Sequence, residues 1–78
     1  MSDNATVTVY TTPTCPQCTA TKKKLTRLGV EFNAVDVSQD DEARQYVHGL
    51  GYTSAPVVVA GESHWSGFRP NRLEELAS

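Results

Sequence analysis

Val7-Thr8-Val9-Tyr10 runs through Thr11-Thr12-Pro13-Thr14 into Cys15-Pro16-Gln17-Cys18, and Thr19 to Leu28 follows with a helical look. An apolar β-branched run, then Cys-x-x-Cys, then a helix reads as a redox motif at a strand-to-helix junction. Two intervening residues let the sulfurs meet in the tight geometry of a disulfide. A first Cys at a helix N-terminus sits beside unpaired backbone N–H groups, which favour its thiolate. The thiolate attacks a disulfide, and the second thiol resolves the mixed disulfide. Cys15 and Cys18 are the chain's only cysteines.

Outward from the motif, Ala5 to Thr11 reads as a first strand. Thr14 is the expected N-cap of the first helix, with Pro16 in its first turn and Gly29 as the residue that ends it. Val30 to Val37 reads as a second strand with Val30, Phe32, Ala34 and Asp36 on one face. Ser38 with Asp41 resembles a capping box. Ala43, Tyr46, Val47 and Leu50 then repeat at helical spacing, and Gly51 ends that helix. Pro56 to Ala60 reads as a buried third strand, Gly61-Glu62 as a turn and Ser63-His64-Trp65 as an antiparallel fourth strand. Pro70 to Ala77 closes the chain as a helix using Leu73 and Leu76. The expected class is α/β, ordered β-α-β-α-β-β-α, with a four-stranded mixed sheet and three helices. Helices between strands one and two, and between two and three, predict two parallel crossovers.

Seventy-eight residues hold one domain, 1–78. A four-residue loop is a poor structural staple, which favours chemistry for the cysteines. The net charge of −2 argues against nucleic acid as a partner. Lys22-Lys23-Lys24 is either a solvated helix face or a steering patch for an acidic partner. No targeting segment or membrane-length apolar run is visible, so the expected setting is cytoplasmic; Asn4-Ala5-Thr6 reads as a chance sequon. There Cys-x-x-Cys is catalytic or metal-binding rather than structural. A zinc site needs more ligands, and His48 and His64 are far from ligand spacing. Those histidines read as surface or hydrogen-bonded residues, and Asp36 as a buried proton acceptor or a strand cap. No phosphate-binding glycine loop or nucleotide fingerprint is present.

The element order with Cys-x-x-Cys after the first strand resembles the thioredoxin fold in its glutaredoxin-sized form. Ala55-Pro56 lies where that fold carries a cis-proline facing the cysteines. Trp65-Ser66-Gly67-Phe68-Arg69-Pro70 resembles the signature of the NrdH-redoxins, as do Asp40 to Arg44 and Ala55 to Val58. The likeness runs from Val7 to Leu76 and departs at Pro16, where many members carry Val or Met.

That resemblance implies a thiol–disulfide oxidoreductase, an electron carrier with Cys15 as nucleophile and Cys18 as resolver. It implies no bound cofactor and no metal, with electrons from NADPH through a flavin-dependent thioredoxin reductase. The implied electron acceptor is the large subunit of class Ib ribonucleotide reductase, in deoxyribonucleotide synthesis. The expected protein is a monomer. Pro16, Gln17, Ala55, Pro56, Trp65, Ser66, Gly67 and Phe68 are the expected partner-binding residues. Trp65 and Phe68 read equally as core aromatics, and Pro56 as the start of a strand. The alternative is a glutathione-dependent glutaredoxin. Such proteins tend to hold glutathione's carboxylate with a Gly-Gly-Asp-like segment before the last helix. Here Ser66-Gly67-Phe68 stands there, and Ser66 is expected to cap that helix.

Overall fold

A computed structural model describes residues 7–77. Ala5 and Thr6 of the expected first strand, and the Asn4 sequon, lie outside the described residues. The elements are β1 (Val7–Thr11), α1 (Pro16–Leu28), β2 (Asn33–Asp36), α2 (Asp41–Gly49), β3 (Val57–Ala60), β4 (Ser63–Ser66) and α3 (Pro70–Leu76). The sheet order is β2-β1-β3-β4. This is the expected β-α-β-α-β-β-α fold with a mixed four-stranded sheet.

Strand alternation divides the sheet into two faces. Ala34, Val9, Val58 and Trp65 are register partners in one row across it. On that face Val7, Val9, Val58 and Trp65 meet Leu25 of α1 and Leu73 of α3 to form the core. Val9, Val58, Leu25 and Leu73 are fully buried. The opposite face presents Tyr10, whose ring centroid lies 5.7 Å from that of Tyr46 in α2. Only Val47 of α2 is buried, so the amphipathic helix read from the sequence covers its face with one firm anchor. Among the described residues no helix is long and apolar enough to cross a membrane.

Three local expectations change. The N-cap of α1 is Cys15, not Thr14, and Cys15 Sγ itself accepts the Cys18 N–H at 3.1 Å. The second strand starts at Asn33, not Val30. The reason lies at the end of α1: Gly29 adopts φ 76°, and the Val30 N–H turns back to Leu25 O at 3.0 Å. Val30 therefore serves helix termination, and it packs with Phe32 against the core from the loop. The N-cap of α2 is Asp40, whose carboxylate accepts the Ala43 N–H at 3.0 Å. Ser38 is not part of a capping box. Its N–H and hydroxyl both donate to Asp36 Oδ1, at 2.9 and 2.6 Å. Asp36 thus caps the strand end.

The largest change is in strand direction. β1 and β2 are parallel, but β3 is antiparallel to β1, so the second crossover is not a parallel one. β3 lies on the far side of β1 from β2, where direction is independent of the β2 register. The consequence is functional. Val57 pairs with Tyr10 near the C-terminal end of β1, and Ser66 pairs with Val57. Cys15, Pro56 and Gly67 are therefore gathered at one end of the sheet. A parallel β3 would have sent Pro56 to the other end.

Candidate active site

Cys15 and Cys18 are joined in a disulfide, with Cα atoms 5.2 Å apart. They differ in exposure. Cys15 is partly exposed, while Cys18 is 1% exposed. Cys15 stands at the mouth of α1 in extended backbone (φ −132°, ψ 99°), and Pro16 takes the first helical position. Proline fits there because that N–H has no intrahelical partner to lose. The Cys18 N–H aimed at Cys15 Sγ, together with the helix dipole, stabilises negative charge on that sulfur once the bond is reduced.

Of the other expected residues, Pro56, Gly67 and Gln17 lie near one another at this end of the sheet. The Ala55–Pro56 peptide bond is cis, and Pro56 is fully buried. Its carbonyl accepts the Gly67 N–H at 2.8 Å, which ties the loop before β3 to the loop after β4. A Cβ placed on Gly67 would lie 3.8 Å from Gln17 Oε1, so the same loop approaches the Cys-x-x-Cys turn. Gly67 thus bridges the buried Pro56 and the exposed Gln17, joining three segments distant in sequence. Gly67 is needed for its backbone, since φ is 85° and a Cβ there would meet Gln17 only at ordinary van der Waals distance. Gly67→Ala is expected to cost about 1–2 kcal/mol through the left-handed conformation alone. An unchanged urea midpoint for that variant would refute this account.

The two aromatics of the Trp-Ser-Gly-Phe segment separate. Trp65 is 5% exposed in the core, with the Arg72 guanidinium 4.7 Å from its ring centre. Phe68 is 37% exposed. Of the two, Phe68 exposes apolar surface, and Trp65 packs β4 into the core. Ser66 does not cap α3. It ends β4, and the N-cap residue of α3 is Arg69, which makes no side-chain cap bond. His48 and His64 are exposed, and His64 Nδ1 lies 2.7 Å from the Tyr52 hydroxyl. Lys24 leaves the basic run to pair with Glu74 at 3.0 Å, which links α1 to α3. Among the described residues no three metal-ligating side chains cluster.

A mostly apolar hollow of about 330 Å³ opens on the α2 face, lined among others by Tyr10, Thr12, Val37, Val47 and Ala55. It reaches Thr12, in the loop that leads to Cys15, and Ala55, the residue before the cis-proline. Burial, then Tyr46 and Asp40 nearby, push the Tyr10 phenol above its ordinary value, so its hydroxyl stays protonated at neutral pH. The signal in the sequence was the alternation of β1: with Val9 facing the core, Tyr10 must face α2.

Comparison with known proteins agrees with this geometry. A glutaredoxin family model matches residues 7–65. The glutaredoxin-like protein NrdH of Escherichia coli K12 is 39% identical over 70 residues, covering 90% of this chain and 86% of the relative. The gene 56 protein of Mycobacterium phage L5 is 47% identical over 75 residues, covering 92% of this chain and 72% of that protein. Among solved structures, the Escherichia coli NrdH-redoxin superposes with a TM-score of 0.86 at 38% identity, covering 90% of this chain and 92% of that one. Its structure was described as the basis of that protein's thioredoxin-like activity profile. Fold, disulfide and likeness over nearly the whole length lead to one assignment: this chain belongs to the glutaredoxin family, among the glutaredoxin-like NrdH redoxins, and is a thiol–disulfide redoxin with Cys15–Cys18 as its active pair.

Proposed function

We propose that this redoxin carries electrons from a flavin-dependent thioredoxin reductase, supplied by NADPH, to the disulfide on the large subunit of class Ib ribonucleotide reductase, acting as a cytoplasmic monomer. Cys15 attacks the partner's disulfide and Cys18 displaces the reduced partner. The observation that carries this reading is the placement of a partly exposed Cys15 at the N-terminus of α1, beside Gln17, Gly67 and the cis-proline loop, in a chain so similar to NrdH proteins. The thioredoxin-like activity profile ascribed to the Escherichia coli protein supports thioredoxin reductase as the electron source. Gln17, Ala55, Gly67 and the exposed Phe68 form the proposed docking surface, with Pro16 at its edge. An extended partner segment suits it, since Pro56 offers no N–H and the Ala55 backbone stands next to it.

The alternative, glutathione as reductant, gains something from the uncapped start of α3, because Ser66 does not occupy the N–H groups there. Against it stands Phe68, apolar and exposed where an anion-binding segment would be needed. Two assays of NADPH oxidation, coupled to a disulfide substrate, decide. Thioredoxin reductase alone is expected to sustain turnover at least about tenfold faster than glutathione with its reductase, a difference of about 1.4 kcal/mol in barrier. Equal or faster turnover with glutathione would move the chain to the glutathione-dependent proteins.

A further inference from the structure

Helix α1 contains three threonines. Two exposed ones tie their hydroxyls back into the helix: Thr19 Oγ1 donates to Cys15 O at 3.4 Å, and Thr26 Oγ1 to Lys22 O at 3.0 Å. That is the ordinary resting place of a helical hydroxyl. Thr21 is 0% exposed, yet its hydroxyl makes no hydrogen bond. A buried donor without a partner is destabilising, and a valine of the same shape would avoid the penalty. Such a group calls for a reason.

Its position supplies one. Thr21 follows Cys18 by three residues, which places their Cβ atoms about 5–6 Å apart on one helix face. Helical side chains lean toward the N-terminus, so the Thr21 side chain overlies the turn that carries Cys18. Cys18 is equally buried, and in the oxidised protein its sulfur is bonded to Cys15. Reduction changes what that sulfur needs. To resolve a mixed disulfide it must become a thiolate, and burial opposes the charge. A hydroxyl donor beside it favours the charged form. The Cys18 N–H is no help, because it points at Cys15 Sγ.

We propose that the Thr21 hydroxyl donates a hydrogen bond to Cys18 Sγ once the disulfide opens, and so promotes the thiolate that resolves the mixed disulfide. The inference rests on Cys15 attacking and Cys18 resolving. In the step concerned, the Cys18 thiol gives its proton to solvent, and its Sγ attacks Cys15 Sγ. The bond between Cys15 and the partner's sulfur breaks, and the Cys15–Cys18 bond forms. The partner's sulfur leaves with the electron pair and takes a proton from solvent. The redoxin loses two electrons and the partner's disulfide gains two. Thr21 keeps its proton throughout.

The test uses the whole reduced protein and a bis(nitrobenzoate) disulfide, which releases one coloured thiolate when Cys15 attacks and a second when Cys18 resolves. Thr21→Val is expected to leave the first phase at the wild-type rate. It should slow the second about tenfold at neutral pH and raise the pH midpoint of that phase by about one unit. Thr21→Ser should restore both. A second phase of wild-type rate and pH midpoint in Thr21→Val overturns the inference, as does an equal slowing in the serine variant. Should valine disturb the packing, Thr21→Ala and Thr21→Ser differ only in the hydroxyl, and equal second phases in those two overturn it as well. Cys18→Ser must release one colour equivalent only. A first phase that survives in Cys15→Ser overturns the assignment of roles, and that outcome is distinct from a failure at Thr21.

Discussion

Cys18→Ser is expected to leave the protein able to attack a disulfide once and unable to turn over. Steady-state reduction should fall to background, and a covalent adduct should accumulate through Cys15. The two sulfurs are chemically alike, so the asymmetry comes from position. Cys15 is partly exposed at the mouth of α1, where the dipole is positive and the Cys18 N–H lies 3.1 Å from its sulfur. Both effects favour the thiolate, and the exposure admits a partner's disulfide. Cys18 sits one turn into the helix at 1% exposure, where a protein partner cannot reach it. Its only accessible electrophile is the mixed disulfide formed at Cys15. Removing it should therefore halt the cycle after the first exchange. Mass spectrometry of Cys18→Ser after exposure to a disulfide substrate should find one substrate half per chain. Cys15→Ser under the same conditions should stay unmodified. An adduct on Cys18 in that second variant would reverse the roles.

The disulfide was legible because its signals are local. Cys15 and Cys18 lie on one turn, Gly29 ends the helix they begin, and Gly61 marks the hairpin between β3 and β4. Leu73 at helical spacing from Leu76 located α3. What was not legible depends on how distant segments lie against one another. Val57 to Ala60 has the same apolar character whether it runs parallel or antiparallel to β1, so the direction of β3 could not be read from it. That direction decides whether Pro56 meets the cysteine end of the sheet. Local competition explains the smaller misses. Thr14 is a better N-cap by residue type than Cys15, yet the sulfur takes that role because the helix already starts at Pro16. Asp40 outcompetes Ser38 because Ser38 is already bound to Asp36. The hollow beside Tyr10 combines β1, α2 and the Ala55 loop, and no one of these segments announces it.

Leu25→Ala is expected to remove about 2–5 kcal/mol of stability, the range for truncating a fully buried leucine. Leu25 is 0% exposed and packs with Val9, Val58, Trp65 and Leu73, which joins α1 to the sheet and to α3 at one point. The truncation leaves a void in a small core that has few other side chains to collapse into it. A domain of this size holds on the order of 4–12 kcal/mol in total, so the variant loses a large share of it. The midpoint of thermal unfolding should fall by about 10–30 °C. Tyr46→Ala on α2 is the contrast, because Tyr46 is 46% exposed and its loss opens no core cavity. Its midpoint should move by a few degrees at most. A small change for Leu25→Ala, or a larger one for Tyr46→Ala, would place the stabilising contacts on the α2 face. The chemistry should respond differently from the stability. Cys15 is held by the first turn of α1, and its contacts are with Cys18 and with the helix end. At a temperature where Leu25→Ala is folded, its Cys15 should therefore react with a disulfide at the wild-type rate. Activity lost on warming should follow the unfolding curve of the variant, since the core's task is to hold α1 and its sulfur at the end of the sheet where Pro56 and Gly67 meet.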